Sequence, residues 1–131
     1  MLRALYPKVL IIENQMIIAA DIFGQLVKLG YEVIGINDSL EAAMPTIRQT
    51  PPDMVLMNVG VRGKTDRIAA ARTLMHTYQI PVIFLSADLD RDTYQQLIEL
   101  QPFAFISKPF NSTDLQQGIV STWQRMAAEA V

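Results

Sequence analysis

Few side chains in this 131-residue chain could support chemistry, and most of them follow short apolar runs. Glu13 and Asn14 follow the first run, Asn58 and Ser86 follow two later runs, and Lys108 follows the last one. The chain has no cysteine, and its single histidine lies in a predicted helix, so no nucleophile is paired with a general base. These polar groups are therefore candidates for binding, and we do not expect an enzyme.

The apolar runs alternate with longer segments of helical period, a pattern typical of a parallel sheet covered by helices on both faces. The predicted strands are rich in β-branched and aromatic residues and comprise residues 9–12, 32–36, 54–57, 82–85 and 103–106. Right-handed crossovers then give a doubly wound, five-stranded α/β sheet with strand order 2-1-3-4-5. Because ligands bind at the carboxyl edge of such sheets, the polar groups should converge there.

The first two helices carry start and stop signals. Gly30 favours a left-handed C-cap for the first helix, whose apolar residues at helical spacing are Ala19, Ile22, Phe23, Leu26 and Leu29. Asp38 is the predicted N-cap of the second helix, with Glu41 completing a capping box. Pro45 predicts a kink or a break in this helix, since proline removes a backbone hydrogen bond.

Three more helices are predicted towards the C-terminus. The third spans about 66–78 and the fourth about 90–100. The fifth begins at Asn111, which can cap the turn containing Asp114, and its apolar stripe is Leu115, Ile119, Val120, Trp123 and Met126. This helix reaches the chain end without a stop signal, so we expect a domain excised from a longer signalling protein.

Length and composition predict one domain over residues 1–131. The net charge of −2, without clustered Lys and Arg, argues against binding to nucleic acid or to an anionic membrane. The apolar run at 9–12 is too short to span a bilayer. We therefore expect a cytoplasmic protein, which the absence of cysteine also suits.

Five stretches, in order, resemble the receiver domain of the response regulators of two-component signalling. They are Val9-Leu-Ile-Ile-Glu13, Leu29-Gly-Tyr-Glu-Val33, Pro52-Asp-Met-Val-Leu-Met-Asn58, Pro81-Val-Ile-Phe-Leu-Ser-Ala87 and Phe105-Ile-Ser-Lys-Pro-Phe110. The resemblance covers roughly residues 8–123, which it implies as the core of the domain. It implies a flavodoxin-like fold and a role in phosphorelay signal transduction, with a histidine kinase or an output domain as partner.

The resemblance also implies a phosphorylation site that departs from the family pattern. In the family, two acidic residues after the first strand and an aspartate after the third hold Mg²⁺, and this aspartate accepts a phosphoryl group. Here Glu13 retains the first acid, Asn14 stands for the second and Asn58 stands for the acceptor. A neutral amide holds Mg²⁺ poorly and cannot form the usual acyl phosphate. We therefore expect Mg²⁺ binding to be weak or absent, no other cofactor, and no phosphorylation of Asn58.

The same resemblance implies four more roles. Ser86 matches the hydroxyl that contacts the phosphoryl group, and Lys108 matches the cation that pairs with it. Phe105 matches the aromatic residue of the switch, and Gly60 matches the residue whose backbone carbonyl binds the metal. Because Asn58 is neutral, Lys108 loses its usual anionic partner. An ion pair between Glu13 and Lys108, direct or through water, is the resulting hypothesis. The sequence leaves open whether the Lys108-Pro109 bond is cis or trans.

Simpler interpretations stay open for several of these residues. Asn14 could be the N-cap of the first helix, Ser86 a loop residue, and Lys108 a structural residue. His76 is interpreted as a surface side chain. Three methionines are predicted to fill gaps in the core, namely Met54, Met57 and Met75.

The leading functional hypothesis is a pseudo-receiver that acts as a protein-interaction domain without phosphorylation. The family surface of helix four, strand five and helix five then predicts a homodimer contact near Tyr94, Phe103 and the far side of the helix that carries Trp123. A second hypothesis is a conventional receiver in an engineered Asp-to-Asn form, although Asn14 argues against a single trapping change. A third is a flavodoxin-like small-molecule-binding protein, which lacks support because residues 13–16 form no glycine- or hydroxyl-rich phosphate cradle.

Overall fold

The computed structural model describes residues 7–59, 64–86, 90–102, 104–107 and 110–129. Five parallel strands form one sheet in the order β2-β1-β3-β4-β5, which confirms the predicted topology. The strands are β1 (Lys8–Ile12), β2 (Glu32–Asn37), β3 (Met54–Val59), β4 (Val82–Ser86) and β5 (Ala104–Ser107). The helices are α1 (Met16–Lys28), α2 (Leu40–Gln49), α3 (Lys64–Arg72), α4 (Arg91–Glu99) and α5 (Ser112–Glu129), and a π-helical segment (Thr73–Thr77) follows α3.

Helices bury the sheet on both faces, which is why its central strands are predominantly apolar. One core cluster joins strand residues to residues of three helices, where α2 contributes Ala43, α3 contributes Ala71 and α4 contributes Leu97. The other cluster joins the sheet to α1 and α5 through Ile22 and Ile119. Every residue of β3 and of β4 is buried as a result. Among the described helices, none combines the length and the hydropathy that a bilayer crossing requires.

The first helix confirms its predicted C-cap and corrects one core assignment. Gly30 has a φ of 92°, the left-handed conformation that glycine adopts without strain. Phe23 was predicted on the buried stripe, but 41% of it is exposed. It lies on the outward side of α1 together with Met16, Ile17 and Val27, all of which are exposed. The buried stripe consists of Ala19, Ile22 and Leu26.

The start of α2 differs from the prediction. Ser39, not Asp38, is the N-cap, and its hydroxyl accepts a hydrogen bond of 3.1 Å from the Ala42 N–H. Ser39 has the extended backbone that a cap requires, and its side chain reaches the first turn from there. Glu41 lies in the first turn of the helix, where a negative charge is favourable.

The prediction at Pro45 was a kink or a break, and the break is wrong because α2 continues through this residue to Gln49. Pro45 is exposed, while Ala43 and Ile47 on either side of it are buried against the sheet. Packing of this buried stripe outweighs the hydrogen bond that proline removes.

The third and fifth helices follow the predicted positions with local differences. The segment predicted as one helix over 66–78 changes from α to π geometry at Thr73. In α5, Asn111 and Asp114 exchange backbone-to-side-chain hydrogen bonds of 2.9 and 3.0 Å, as the predicted cap requires. Val120 was predicted on the buried stripe but is exposed, and Thr122 is buried instead, with its hydroxyl donating to the Gly118 carbonyl at 2.8 Å.

Replacement of Pro45 by alanine is expected to stabilise the domain. The substitution restores one helical hydrogen bond and removes a poor helix former, so the free energy of unfolding should rise by about 1 to 3 kcal/mol. Urea unfolding followed by circular dichroism measures the change. The matched control is Pro51→Ala, an exposed proline outside any helix, which should lower stability by up to about 1 kcal/mol by loosening the unfolded chain. A loss of stability in Pro45→Ala would show that the ring itself is required.

Candidate functional site

The carboxyl ends of three neighbouring strands bring the predicted site residues together. Ile12, the last residue of β1, pairs with Met57 of β3, so Glu13 and Asn58 follow at the same level of the sheet. Ser86 ends β4 and pairs with Val59. Asn58 and Ser86 were predicted to follow their strands, but both lie within them, because the ladder extends further than the apolar runs.

Glu13 is almost completely buried, with 3% of its surface exposed. One carboxylate oxygen, Oε1, accepts a hydrogen bond of 2.9 Å from the Gln15 N–H at the start of α1. The other, Oε2, is buried and has no hydrogen-bond partner among the described residues. One oxygen of this carboxylate is thus committed to the helix, and the other is buried without a described partner.

The alternative role of Asn14 as a helix cap is wrong. Gln15 occupies the N-cap position of α1 and makes no side-chain cap bond, while Asn14 is exposed. The Glu13 carboxylate satisfies the backbone N–H of Gln15. An anionic acceptor is favoured at this end of a helix. Glu13 therefore provides the side-chain acceptor that the neutral Asn14 was expected to provide.

Asn58 is buried as well, with 7% of its surface exposed. Its side-chain oxygen, Oδ1, has no hydrogen-bond partner among the described residues. Its main-chain carbonyl accepts a hydrogen bond from Nη1 of Arg67, which comes from α3 and is itself 8% exposed. A buried guanidinium therefore contacts the backbone near the end of β3.

The contribution of Arg67 was missed at the level of sequence because a charged residue on a helix is usually solvated. A signal for it does exist in the helical spacing. Ala70, Ala71 and Leu74 are buried, and Arg67 lies three, four and seven residues before them on the same stripe. A stripe traced backwards from these apolar residues leads to Arg67.

The predicted switch aromatic, Phe105, packs between two other rings. Its centroid lies 6.0 Å from that of Phe84 and 5.4 Å from that of Tyr94, both in edge-to-face geometry. Tyr94 belongs to α4 and is 46% exposed. Phe105 therefore links the core of the sheet to a surface-exposed ring of α4.

Three predicted positions, Gly60, Lys108 and Pro109, lie outside the described residues. The Glu13 to Lys108 ion pair and the geometry of the peptide bond between Lys108 and Pro109 therefore stay predictions. Phe103, predicted at the dimer surface, also lies outside them.

A cleft of about 500 Å³ opens beside this edge of the sheet, between α2 and α3. Its polar lining residues are Asn14, Asp38, Ser39, Glu41, Arg67 and Thr73.

The opposite, amino edge of the sheet holds a separate polar contact, in which Asp53 accepts a hydrogen bond of 2.7 Å from the Lys8 N–H. Near that edge, burial raises the pKa of the Tyr31 phenol, which donates to Gln116 at 2.7 Å.

This parallel sheet, with helices on both faces and polar groups at its carboxyl edge, defines a doubly wound α/β domain of the flavodoxin-like type. The chain belongs to the response regulator receiver domain family, whose model matches residues 9–120.

Curated relatives and solved structures agree with this assignment. The transcriptional regulatory protein PdtaR of Mycobacterium tuberculosis is 30% identical over 108 residues, which cover 82% of this chain and 52% of that protein. The phyllosphere-induced regulator PhyR of Methylorubrum extorquens is 28% identical over 109 residues, or 82% of this chain and 40% of that protein. The chain thus spans about half or less of these relatives' length. The signal receiver domain of a modulated diguanylate cyclase from Desulfovibrio desulfuricans superposes with a TM-score of 0.86 at 30% identity, covering 95% of this chain and 98% of that one.

The receiver fold implies a bound divalent cation, and the described residues fit one poorly. Mg²⁺ prefers several hard, anionic oxygens in octahedral array. Glu13 offers one uncommitted carboxylate oxygen, Asn58 offers a neutral amide oxygen, and Asn14 is exposed. Within the described ranges, no three acidic, histidine or cysteine side chains are grouped to hold a metal.

Replacement of Asn58 by leucine, which has a similar size and shape, is expected to stabilise the domain. The change removes a buried acceptor without a described partner, which should raise the free energy of unfolding by about 1 to 3 kcal/mol. Thermal and urea unfolding measure it. The matched control is Asn111→Leu, in which loss of the α5 cap should cost about 0.5 to 2 kcal/mol. If both variants lose stability, Asn58 has a bonding partner after all.

Proposed function

We propose that this receiver domain signals through protein contacts without phosphorylation of Asn58. The observation that carries the proposal is the buried amide of Asn58 at the carboxyl edge of β3, where the family resemblance assigns the phosphate acceptor. An amide oxygen carries no net charge and does not form the acyl phosphate of an aspartate. The signal must then be carried by binding.

Site chemistry supports this proposal. Phosphoryl transfer depends on positioning and on neutralising charge with bound metal. Around Asn58, the described residues offer one buried carboxylate, Glu13, and one of its oxygens is occupied by the start of α1. We accordingly propose that Mg²⁺ binds weakly or not at all, and that the domain itself is not an enzyme.

The partners are inferred from the kind of protein to which the chain is similar. The relatives PdtaR and PhyR are named as regulators, and the PhyR of Bartonella quintana, 25% identical, is titled an anti-anti-sigma factor. By analogy, the partner of this chain is a regulatory protein of a two-component pathway in the cytoplasm, either a histidine kinase or an output domain.

Phosphorylation independence is tested by titrating beryllofluoride with Mg²⁺, an analogue of the phosphoryl group, and following amide NMR shifts at Asn58 and Ser86. The natural chain should show no saturable shift. The double variant Asn14→Asp/Asn58→Asp should show one, because it restores the carboxylates that the metal requires. Saturable shifts in the natural chain would contradict the proposal.

The single variant Asn58→Asp separates this proposal from the alternative of a conventional receiver in an Asp-to-Asn form. If one substitution restores full beryllofluoride binding, only the acceptor had been changed and the alternative holds. If Asn14→Asp is needed in addition, the metal site was lost as a whole. A matched control is Asn111→Asp, which adds the same charge on the exposed start of α5.

A homodimer through α4, β5 and α5 is also proposed, on the basis of Tyr94. This ring is 46% exposed and contacts Phe105 of β5, so it extends the aromatic core to the surface. Trp123 packs against the core cluster of α1 and α5, so the far side of its helix is the face left for the proposed contact.

Truncation of Tyr94 to alanine should weaken the dimer about tenfold or more, since exposed aromatic rings often dominate interface energies. Sedimentation equilibrium over a concentration series measures the dissociation constant, and small-angle scattering checks the shape. Tyr78→Ala is the control, because Tyr78 is similarly exposed at 40% but follows the π-helical segment. A particle that is monomeric at every concentration would remove the dimer proposal.

A further inference from the structure

Arg67 is a buried cation whose one recorded acceptor, within the described part of the chain, is a neutral carbonyl. The guanidinium has five N–H donors, and the bond from Nη1 to the Asn58 carbonyl accounts for one of them. Arg67 is 8% exposed, so water does little to compensate its charge. A charge buried in this way costs free energy unless acceptors or opposite charges surround it.

The backbone pattern places this guanidinium on the β1 side of Asn58. Alternate residues of a strand direct their backbone groups to opposite neighbours. Val55 donates its N–H to Pro81, beside β4, so Asn58, three residues later, directs its carbonyl towards β1. Strand β1 ends at Ile12, and Glu13 turns away to donate its N–H to Asn37 of β2. Arg67 therefore occupies the space next to Glu13 that a longer β1 would have filled.

Two buried oxygens without described partners lie at the same edge. They are Oε2 of Glu13, which carries negative charge, and Oδ1 of Asn58, which belongs to the residue that Arg67 already contacts. Within the described residues, four N–H donors of Arg67 have no recorded acceptor, and these two oxygens have no recorded donor. A guanidinium and a carboxylate are opposite in charge, and the guanidinium donates where both oxygens accept.

We infer that Arg67 supplies a fixed positive charge to the carboxyl edge at Glu13 and Asn58, where the receiver fold implies a divalent cation. This inference rests on the proposed function and deepens it. A guanidinium held at the end of β3 compensates the carboxylate charge of Glu13 and repels a divalent cation from the same edge of the sheet. Arg67 thus acts through its charge: it makes this edge independent of metal, with its recorded bond on the Asn58 carbonyl and none to the Glu13 or Asn58 side-chain oxygens.

The decisive experiment measures Mg²⁺ affinity in the Asn58→Asp background, with MgCl₂ alone and no phosphoryl analogue. Addition of Arg67→Gln to Asn58→Asp should tighten Mg²⁺ binding about tenfold or more, because the competing positive charge is gone. The amide NMR shifts of Glu13 and Ser86 measure this binding. Addition of Arg67→Lys should leave the affinity close to that of Asn58→Asp, since the charge remains. The control, Arg72→Gln, removes an exposed arginine of the same helix and should change nothing.

Equal Mg²⁺ affinity in the Arg67→Gln and Arg72→Gln forms would overturn the inference. A second measurement on the natural chain covers the case in which Arg67→Gln does not fold. In ¹⁵N NMR of the guanidinium groups, Arg67 should show slow rotation and slow proton exchange that MgCl₂ leaves unchanged, whereas Arg72 should exchange fast. Fast exchange at Arg67 would also overturn the inference. Neither readout depends on whether the natural chain accepts a phosphoryl group, so failure here is distinguishable from failure of the proposed function.

Discussion

The burial of β3 on both faces constrains the rest of the structure. A central parallel strand can be covered by helices only if its side chains are apolar, and the residues from Met54 to Met57 meet this condition. Asn58 is the exception within the strand, since it is buried like its neighbours but carries a polar amide. Any group placed at this point must find its partners inside the protein, because water has little access. The chemistry of the carboxyl edge follows from this requirement.

Glu13 and Arg67 reach this edge from opposite sides of the sheet. Glu13 binds the start of α1 with one oxygen, and Arg67 reaches from α3 to the end of β3. The first helix of one layer and the third helix of the other layer thus meet at the same pair of strands. A change in the polar groups around Asn58 would therefore alter contacts of both helical layers. A binding module can use such coupling to transmit a signal without covalent modification.

Much of the fold was predictable because short apolar runs and helical stripes report burial directly, and β1, β3 and β4 lie where those runs predict. Local details were less accessible. Pro45 disagrees with helix propensity, and tertiary packing of α2 prevails. For the site, the positions of Glu13, Asn58 and Ser86 were predicted from the strand ends. The role of Asn14 depended on which side chain accepts from the Gln15 N–H, and that of Arg67 on its reach to the Asn58 carbonyl, and spacing alone resolves neither.

The π-helical segment at Thr73–Thr77 affects how related sequences should be compared. A π turn holds one residue more than the α turn that it replaces, so it is equivalent to a single-residue insertion absorbed within a helix. Leu74 nevertheless remains buried, and the Ile80 N–H still bonds the Leu74 carbonyl at 2.9 Å. Relatives one residue shorter here could keep the same core and the same start of β4. An alignment that forbids gaps inside helices would displace every position on one side of this turn.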